Sequence, residues 1–167
     1  MGNNKLLDEI QIRNDLRTGD MGYVIHMHGS LYGREYSYGL QFEVYVAQGF
    51  SEFYEGYDAQ ADRVWVCEHN GRIVGFLLVM HRDDAAQLRY FLIEPEYRGI
   101  GLGAKLIDMC MEFLRERGYK RCYLWTTDEL PAAAHLYKRA GFKLTAEKDS
   151  TAFGKPLKEQ RYDLILP

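Results

Sequence analysis

A glycine-rich turn holds the residues best suited to binding chemistry. Residues 98–103 read Arg-Gly-Ile-Gly-Leu-Gly, after an apolar run and before a helical pattern. The first N–H groups of a helix have no partner within it and lie at the positive end of its dipole. Because glycine has no side chain to keep an anion away, the turn predicts a phosphate or pyrophosphate site. The residues expected to form it are Arg98, Gly99, Ile100, Gly101, Leu102, Gly103 and Ala104.

The spacing of these glycines argues against two familiar nucleotide motifs. A dinucleotide fingerprint requires G-x-G-x-x-G, whereas the glycines here stand at 99, 101 and 103. A P-loop would end in Gly-Lys-Ser or Gly-Lys-Thr, which the turn does not contain. The anion bound by the turn is therefore expected to belong to another kind of ligand.

The turn and a downstream segment resemble a known family. Arg98-x-x-Gly101-x-Gly103 follows a strand ending Ile93-x-Pro95, and residues 136–142 read LYKRAGF. This combination resembles the acyl-CoA motif of the Gcn5-related N-acetyltransferase (GNAT) family, over most of the chain from about residue 63 onward. Through LWTTDEL and FGKPLKEQRYDL, the chain is most similar to acetyltransferase domains fused to MarR-type regulators.

The resemblance implies a cofactor site and a catalytic acid. Backbone groups of Phe91, Leu92 and Ile93 would pair with the pantetheine arm and thioester oxygen of acetyl-CoA. Tyr137 matches the tyrosine that protonates the departing thiolate in the family. The alternative for Tyr137 is a core tyrosine packed beside Leu136, since spacing does not show where its hydroxyl points.

The general base is the point at which this sequence departs from the family. Many members carry a glutamate on the central strand, where the matching positions here hold Gln87 and Arg89. Glu35 and Glu43, near the two N-terminal helices, are candidate substitutes, and a water relay is equally compatible. The aromatic residues between 23 and 57 are expected to line the pocket for the amine.

Hydrophobic periodicity predicts the elements that position these residues. An alternating strand over Gln87–Ile93 stops at Pro95, and a helix with one apolar face runs from Leu102 to a stop at Gly118. Asn70-Gly71 between two apolar runs predicts a type I′ hairpin turn. The other predicted elements are a strand over Glu9–Asn14, helices from Asp20 (a candidate cap) to Tyr32 and from Leu40 to Gly56, a strand over Arg121–Thr126, a helix over Leu130–Ala140, and strands over Phe142–Thr151 and Glu159–Leu166.

These elements predict one α/β (α+β) domain over residues 1–167. The resemblance implies the acyl-CoA N-acyltransferase fold of the GNAT family. This fold has a mixed, largely antiparallel central sheet flanked by helices, in the order β-α-α-β-β-β-α-β-α-β-β. A chain of 167 residues is long enough for a single hydrophobic core of ordinary size.

Composition narrows the possible partners. A net charge of −3 gives no basic footprint for nucleic acid, and no apolar run is long enough for a membrane span. Cys67, Cys110 and Cys122 lack metal-site spacing and suggest buried, reduced thiols in a cytoplasmic protein. His26 and His28 would point to different sides of a helix, so no metal is expected. The chain is expected to be a monomer or homodimer.

Together these features predict an enzyme. The expected reaction moves the acetyl group of acetyl-CoA to a primary amine of a small molecule or peptide, by direct attack of the amine on the thioester. The alternatives are a non-catalytic module that senses acyl-CoA and a nucleotide-binding regulator. The sequence does not identify the acceptor.

Overall fold

Seven strands form a single sheet with helices on both faces. The computed structural model describes residues 2–167. In chain order its elements are α1 (Gly2–Glu9), β1 (Gln11–Arg13), α2 (Asp20–Tyr36), α3 (Leu40–Glu55), β2 (Arg63–His69), β3 (Arg72–Arg82), β4 (Ala85–Ile93), a 3₁₀ turn (Pro95–Tyr97), α4 (Leu102–Glu116), β5 (Arg121–Thr127), α5 (Pro131–Arg139), β6 (Lys143–Ser150) and β7 (Leu157–Ile165).

The strand order across the sheet is β1-β2-β3-β4-β5-β7-β6. Every neighbouring pair is antiparallel except β4 and β5, which are parallel and connected through α4. The predicted mixed, largely antiparallel sheet flanked by helices is confirmed.

The parallel pair separates soon after it begins. The register joins only Ala86 to Cys122 and Gln87 to Tyr123. On its other side, β4 stays paired with β3 as far as Ile93. Beyond Gln87, therefore, β4 has a side that faces neither β3 nor β5. Backbone N–H and C=O groups need partners, so this side can pair with a ligand.

The sheet separates two hydrophobic cores. On one face, α4 and α5 pack with residues such as Leu106, Phe113 and Leu124. On the other face, α2 and α3 pack with residues such as Val46 and Phe50. These helices flank the region where β4 and β5 separate.

The N-terminal region differs from its prediction. The first strand is Gln11–Arg13 rather than Glu9–Asn14, and Glu9 belongs to α1, a helix that the sequence interpretation did not include. The polar pair Arg13 and Asp20 explains the shortness of this strand. Asp20 Oδ2 accepts hydrogen bonds from Arg13 Nη1 (2.8 Å) and from the Arg17 backbone N–H (2.7 Å), which orders the segment between strand and helix.

Asp20 is not the cap of α2. Gly19 takes that position with φ 94°, and no side chain caps the helix there. The helix also continues to Tyr36, four residues beyond its predicted end, because Gly33 stays helical and the left-handed Ser37 (φ 60°) ends the helix instead.

Two turn predictions are confirmed by backbone angles. Asn70 and Gly71 both have positive φ, at 51° and 73°, as a type I′ turn requires. Gly118 has φ 74° just after the last residues of α4.

The three cysteines are buried and free, as predicted. Between residues 2 and 167, no helix is long and apolar enough to cross a membrane.

Candidate active site

A cavity of about 660 Å³ opens where β4 and β5 separate. This volume is typical of small-molecule sites. One end is lined by the glycine-rich turn and α5, and the other by aromatic residues of α2 and α3. Residues 87–93 of β4 run along the cavity between these two ends.

A bulge in β4 changes the direction of its side chains. Tyr90 has a left-handed backbone (φ 57°), and the register with β3 shifts at this point, with Leu78 opposite Arg89 and Phe76 opposite Leu92. Two residues of β4, Tyr90 and Phe91, therefore oppose one residue of β3. Tyr90 joins the core beside α3, whereas Phe91 packs against the core beside α4 and α5.

The glycine-rich turn has the shape of an anion site. Gly99 and Gly101 have φ 75° and 92°, a region that residues with a side chain rarely occupy, and Gly101 is the N-cap of α4. A side chain at Gly103 would be too close to the opposite wall, because its Cβ would lie 2.9 Å from Leu136 Cδ1. The absence of side chains leaves the N-terminus of α4 open to the cavity.

The seven predicted turn residues have two different roles. Those that line the cavity are Arg98, Gly99, Gly101, Gly103 and Ala104. Leu102 is instead buried in the core, and Ile100 packs against that core. These two side chains anchor the start of the helix, so Ile100 and Leu102 are left to contact a ligand through their backbone groups.

Arg98 is held by two contacts. Its guanidinium forms a bidentate ion pair with Glu35 near the end of α2, with Nη1–Oε2 at 2.7 Å and Nη2–Oε1 at 2.9 Å. Its Nε donates to the carbonyl of Ile93 at 2.9 Å. The carbonyl of Ile93, predicted to pair with the cofactor, is therefore already paired, although Phe91, Leu92 and Ile93 all line the cavity.

Tyr137 lies inside the cavity wall. It is 4% exposed and packs among the rings of Phe91, Phe142 and Tyr162. Burial raises its pKa well above the ordinary value of a phenol. Within residues 2–167 its hydroxyl makes no hydrogen bond, and because its pKa is raised it keeps its proton at neutral pH.

The two predicted bases are not equivalent. Glu35 is committed to Arg98, and this hydrogen-bonded ion pair lowers its pKa, which weakens it as a base. Glu43 does not line the cavity: its Oε1 lies against Gly29, between α2 and α3. The prediction of Glu43 as a pocket residue is wrong, because the helical phase points its side chain at the neighbouring helix.

Glu159 of β7 was missed by the sequence interpretation. It is the one carboxylate among the cavity-lining residues between positions 2 and 167. Its backbone is opposite Thr127 in the β5–β7 register, and Lys148 Nζ lies 3.9 Å from its Oε2. The alternation in β7 could have shown the direction of its side chain, but the sequence alone did not show that β7 adjoins β5.

The aromatic end of the cavity agrees with its prediction in part. Five of the ten Phe and Tyr residues in the segment 23–57 line it: Tyr32, Tyr36, Tyr38, Phe42 and Tyr45. The β6–β7 loop contributes a further ring, Phe153, stacked on Tyr38 at 5.5 Å between centroids. Lys155 of the same loop donates to the Tyr36 carbonyl at 2.9 Å, so that the loop closes this end.

The two histidines of the H-x-H motif are separated as predicted. His26 is exposed, whereas His28 is buried against Tyr90 and Phe42 and contacts the Val24 carbonyl through Nδ1 at 2.8 Å. Burial lowers the pKa of His28 to about 4, so its ring is neutral at pH 7.

Comparison with known families agrees with this geometry. A sequence model of the acetyltransferase (GNAT) family matches residues 30–142, more than half of the chain. The chain belongs to this family. The matched region includes the C-terminal part of α2, all of β4, the glycine-rich turn and α5.

Similar sequences are named as N-acetyltransferases. The chain is 40% identical over 96 residues to the uncharacterized N-acetyltransferase YjgM of Escherichia coli (strain K12), which covers 55% of this chain and 58% of that protein. It is 30% identical over 89 residues to N-acetyltransferase 8B of Homo sapiens, covering 50% of this chain and 39% of the other. The matches thus span less than two thirds of these relatives.

Solved structures share the whole fold at lower identity. An acetyltransferase of the GNAT family from Staphylococcus aureus MU50 has a TM-score of 0.77 at 20% identity, covering 95% of this chain and 99% of the other. A spermidine N-acetyltransferase from Vibrio cholerae, in complex with CoA and spermine, has a TM-score of 0.69 at 20% identity, covering 95% and 96%.

Proposed function

We propose that the chain is an N-acetyltransferase that transfers the acetyl group of acetyl-CoA to a primary amine. The observation that carries this proposal is the cavity between β4 and β5. It connects the N-terminus of α4, where glycines leave the backbone N–H groups open, to the side of β4 that pairs with no other strand. A pyrophosphate fits the former and a pantetheine amide the latter. The names of the relatives support the same activity.

Each residue has a proposed part in the reaction. The turn from Arg98 to Ala104 binds the pyrophosphate, and β4 at Phe91 and Leu92 binds the pantetheine arm and thioester. The amine nitrogen attacks the thioester carbonyl carbon, the C–S bond breaks, and Tyr137 gives its proton to the departing sulfur. Glu159, directly or through a water, accepts the proton that the amine loses.

The shape of the cavity favours an enzyme over a sensor. A module that only binds acyl-CoA requires the turn and β4. This cavity continues past β4 to an aromatic end with a carboxylate, Glu159, in its wall. That second compartment has a carboxylate, the polar group that an acceptor amine requires.

The proposal also covers the domain organisation, the location and assembly of the chain, and its grouping within the family. Residues 1–167 form one domain, located in the cytoplasm as a monomer or homodimer. The chain also belongs with the acetyltransferase domains fused to MarR-type regulators. Residues 124–130 and 153–164, on which that similarity rests, adjoin in β5 and β7 near the acceptor end. A shared acceptor would support the grouping.

Ala104 offers a test of the cofactor site without backbone strain. It lies in the first turn of α4 and lines the cavity. Ala104→Glu places a negative charge beside the expected pyrophosphate, while a glutamate in a first turn favours the helix itself. Calorimetry should show CoA binding weakened at least about tenfold, a loss of the size that one repulsive charge produces.

The matched control is Ala104→Gln, which has nearly the same size and no charge. CoA affinity should fall much less in this variant than in Ala104→Glu. Equal affinity in the two variants, both close to that of the unaltered chain, would remove the turn from the proposed site.

A further inference from the structure

Arg89 is a largely buried cation that lacks a close anionic partner. Its side chain is 9% exposed and lines the cavity on β4. Its guanidinium carries five N–H donors, and none of them makes a hydrogen bond to another of residues 2–167. The nearest carboxylate oxygen, Glu52 Oε2, lies 3.8 Å from Nη1, which is too long for a hydrogen bond.

The neighbours of Arg89 neutralise its charge only in part. Glu52 is half exposed and forms a short ion pair through its other oxygen with Arg82, so two arginines share one carboxylate. The rings of Tyr45 and Tyr90 lie 5.6 and 4.8 Å from the guanidinium carbon. Rings stabilise the flat cation but leave its N–H groups without acceptors. A largely buried set of N–H donors that shares one half-exposed carboxylate can accommodate a further anion.

Gln87 adds a second donor on the same side of the strand. It precedes Arg89 by two residues, and the alternation of β4 is still regular at this point, ahead of the bulge. Its Oε1 accepts from Arg82 Nε at 2.8 Å and from the Tyr123 hydroxyl at 3.4 Å. These bonds fix the orientation of the amide, whose Nε2–H groups remain to donate.

We propose that Arg89 and Gln87 bind a carboxylate of the acceptor, and that the acceptor is therefore an amino acid or a similar small amine carrying a carboxylate. This inference rests on the proposed acetyl transfer. Arg89 and the thioester site at Phe91 are two positions apart on β4, so the backbone between them spans at most about 7 Å. A carboxylate and an amine of one small molecule fit that spacing.

The opposite wall fits the other charge of such a molecule. Glu159 on β7 is the one carboxylate that lines the cavity between residues 2 and 167, while Arg89 on β4 is a cation whose nearest carboxylate, Glu52, lies beyond hydrogen-bond distance. An amino acid in its zwitterionic form has both complementary charges. A polyamine has positive charges only and would offer no acceptor to the Arg89 N–H groups.

Pairs of acceptors that differ only in the carboxylate provide the test. Alanine, leucine and phenylalanine are compared with ethylamine, isoamylamine and phenethylamine, and spermidine is added as a polyamine. The rate of CoA release from acetyl-CoA gives kcat/KM for each acceptor. For at least one amino acid this value should be roughly 10- to 100-fold higher than for its matched amine, because hydrogen bonds to a charged group contribute a free energy of that size. Arg89→Met should abolish that preference mainly by raising KM for the amino acid.

Arg161→Met is the matched control. Arg161 also lies over a tyrosine ring, that of Tyr123 at 4.3 Å, but its N–H groups are occupied by Asp163 at 2.9 Å. Its loss should leave the preference unchanged. Equal rates for acids and amines in the unaltered chain, or an equal loss for both in Arg89→Met, would overturn the inference while acetyl transfer stands.

A binding measurement tests the proposed carboxylate site independently of turnover. The N-acetyl derivatives of the three amino acids are titrated into the CoA-bound chain by calorimetry. At least one should bind more tightly than the acetylated matched amine, and the difference should vanish in Arg89→Met. No difference would overturn the carboxylate site, whereas a difference without any thiol release would preserve the site and reject the proposed reaction.

Discussion

The ring of Tyr137 is buried, and its hydroxyl makes no hydrogen bond within residues 2–167. Its raised pKa means that it keeps its proton throughout the physiological range. A free phenolate is then costly, so the proton must move as the C–S bond breaks rather than before. Tyr137 is suited to a late, concerted proton transfer to sulfur.

Tyr137→Phe should lower kcat by about 10²–10⁴, equivalent to about 3–5 kcal/mol of barrier. The ring contacts with Phe91, Phe142 and Tyr162 persist in phenylalanine, so melting temperature and CoA affinity should stay close to their original values. Steady-state kinetics and thermal denaturation measure the two effects. Normal turnover in the folded variant would assign the protonation of sulfur to water.

His28 should make stability depend on pH. Its pKa is about 4 in the folded chain and about 6.5 in the unfolded chain, so between these values the unfolded state binds more protons. The contribution of neutral His28 to the free energy of unfolding is then fully present above pH 6.5 and decreases as pH falls toward 4. The contribution at stake is about 3 kcal/mol, from the size of this shift.

Urea denaturation at pH 7 and pH 4.5 measures this effect. His28→Met removes the titrating ring and should reduce the loss of stability on acidification by about 2–3 kcal/mol. His26→Met, at the exposed position of the same helix, should leave the loss unchanged. A pH dependence identical in all three proteins would show that His28 is not responsible.

At the scale of elements, the ion pair between Glu35 and Arg98 connects α2 to the glycine-rich turn. The carboxylate of Glu35 occupies the guanidinium that lies in the expected pyrophosphate site. Glu35→Gln removes a negative charge and frees Arg98, so CoA affinity should rise about threefold or more. Calorimetry at low and high salt measures the change.

Glu43→Gln is the control for this prediction, because Glu43 lies between α2 and α3 and away from the cavity. CoA affinity in this variant should be unaltered. If Glu35→Gln instead lowers kcat strongly at constant CoA affinity, Glu35 is a base and its pairing with Arg98 is secondary.

An element can be predicted from the sequence when the interactions that form it are between residues close together in the chain. The amphipathic period of α4 and the Asn70-Gly71 turn depend on neighbours in sequence, and the structure confirms both. The bulge at Tyr90 has no such local cause. A tyrosine with φ 57° is held there by packing against Phe50, at 4.5 Å between rings, from an element forty residues away.

The acceptor side of the site was harder to predict for the same reason. Glu159 and Phe153 reach the cavity only through the position of β7 and its loop, which depends on the whole strand order. Glu43 was misplaced because its position between two helices depends on their packing. The cofactor side, in contrast, lies within one continuous strand, turn and helix.

At the scale of the whole molecule, one sheet with a core on each face should unfold as a unit. The two tryptophans report on different regions, since Trp65 is in the core beside α4 and Trp125 is in the cavity wall. Trp65→Phe and Trp125→Phe leave one reporter each. Fluorescence of either variant should give the same urea midpoint as its circular dichroism, as a single two-state domain requires.

Different midpoints for the two probes in one variant would indicate that the two sides of the sheet unfold separately. In that case residues 1–167 would comprise more than one cooperative unit, and the proposed single domain would fail.

The strand β4 serves two ligands with different parts of its covalent structure. Its backbone faces the expected pantetheine arm, whereas the side chains of Gln87 and Arg89 face the expected acceptor. Backbone groups are the same in every amino acid, so substitutions at these two positions leave the recognition of acyl-CoA largely intact. Selection can therefore exchange one acceptor for another along this strand while the acetyl donor stays the same, which makes the acceptor preference the more evolvable half of the reaction.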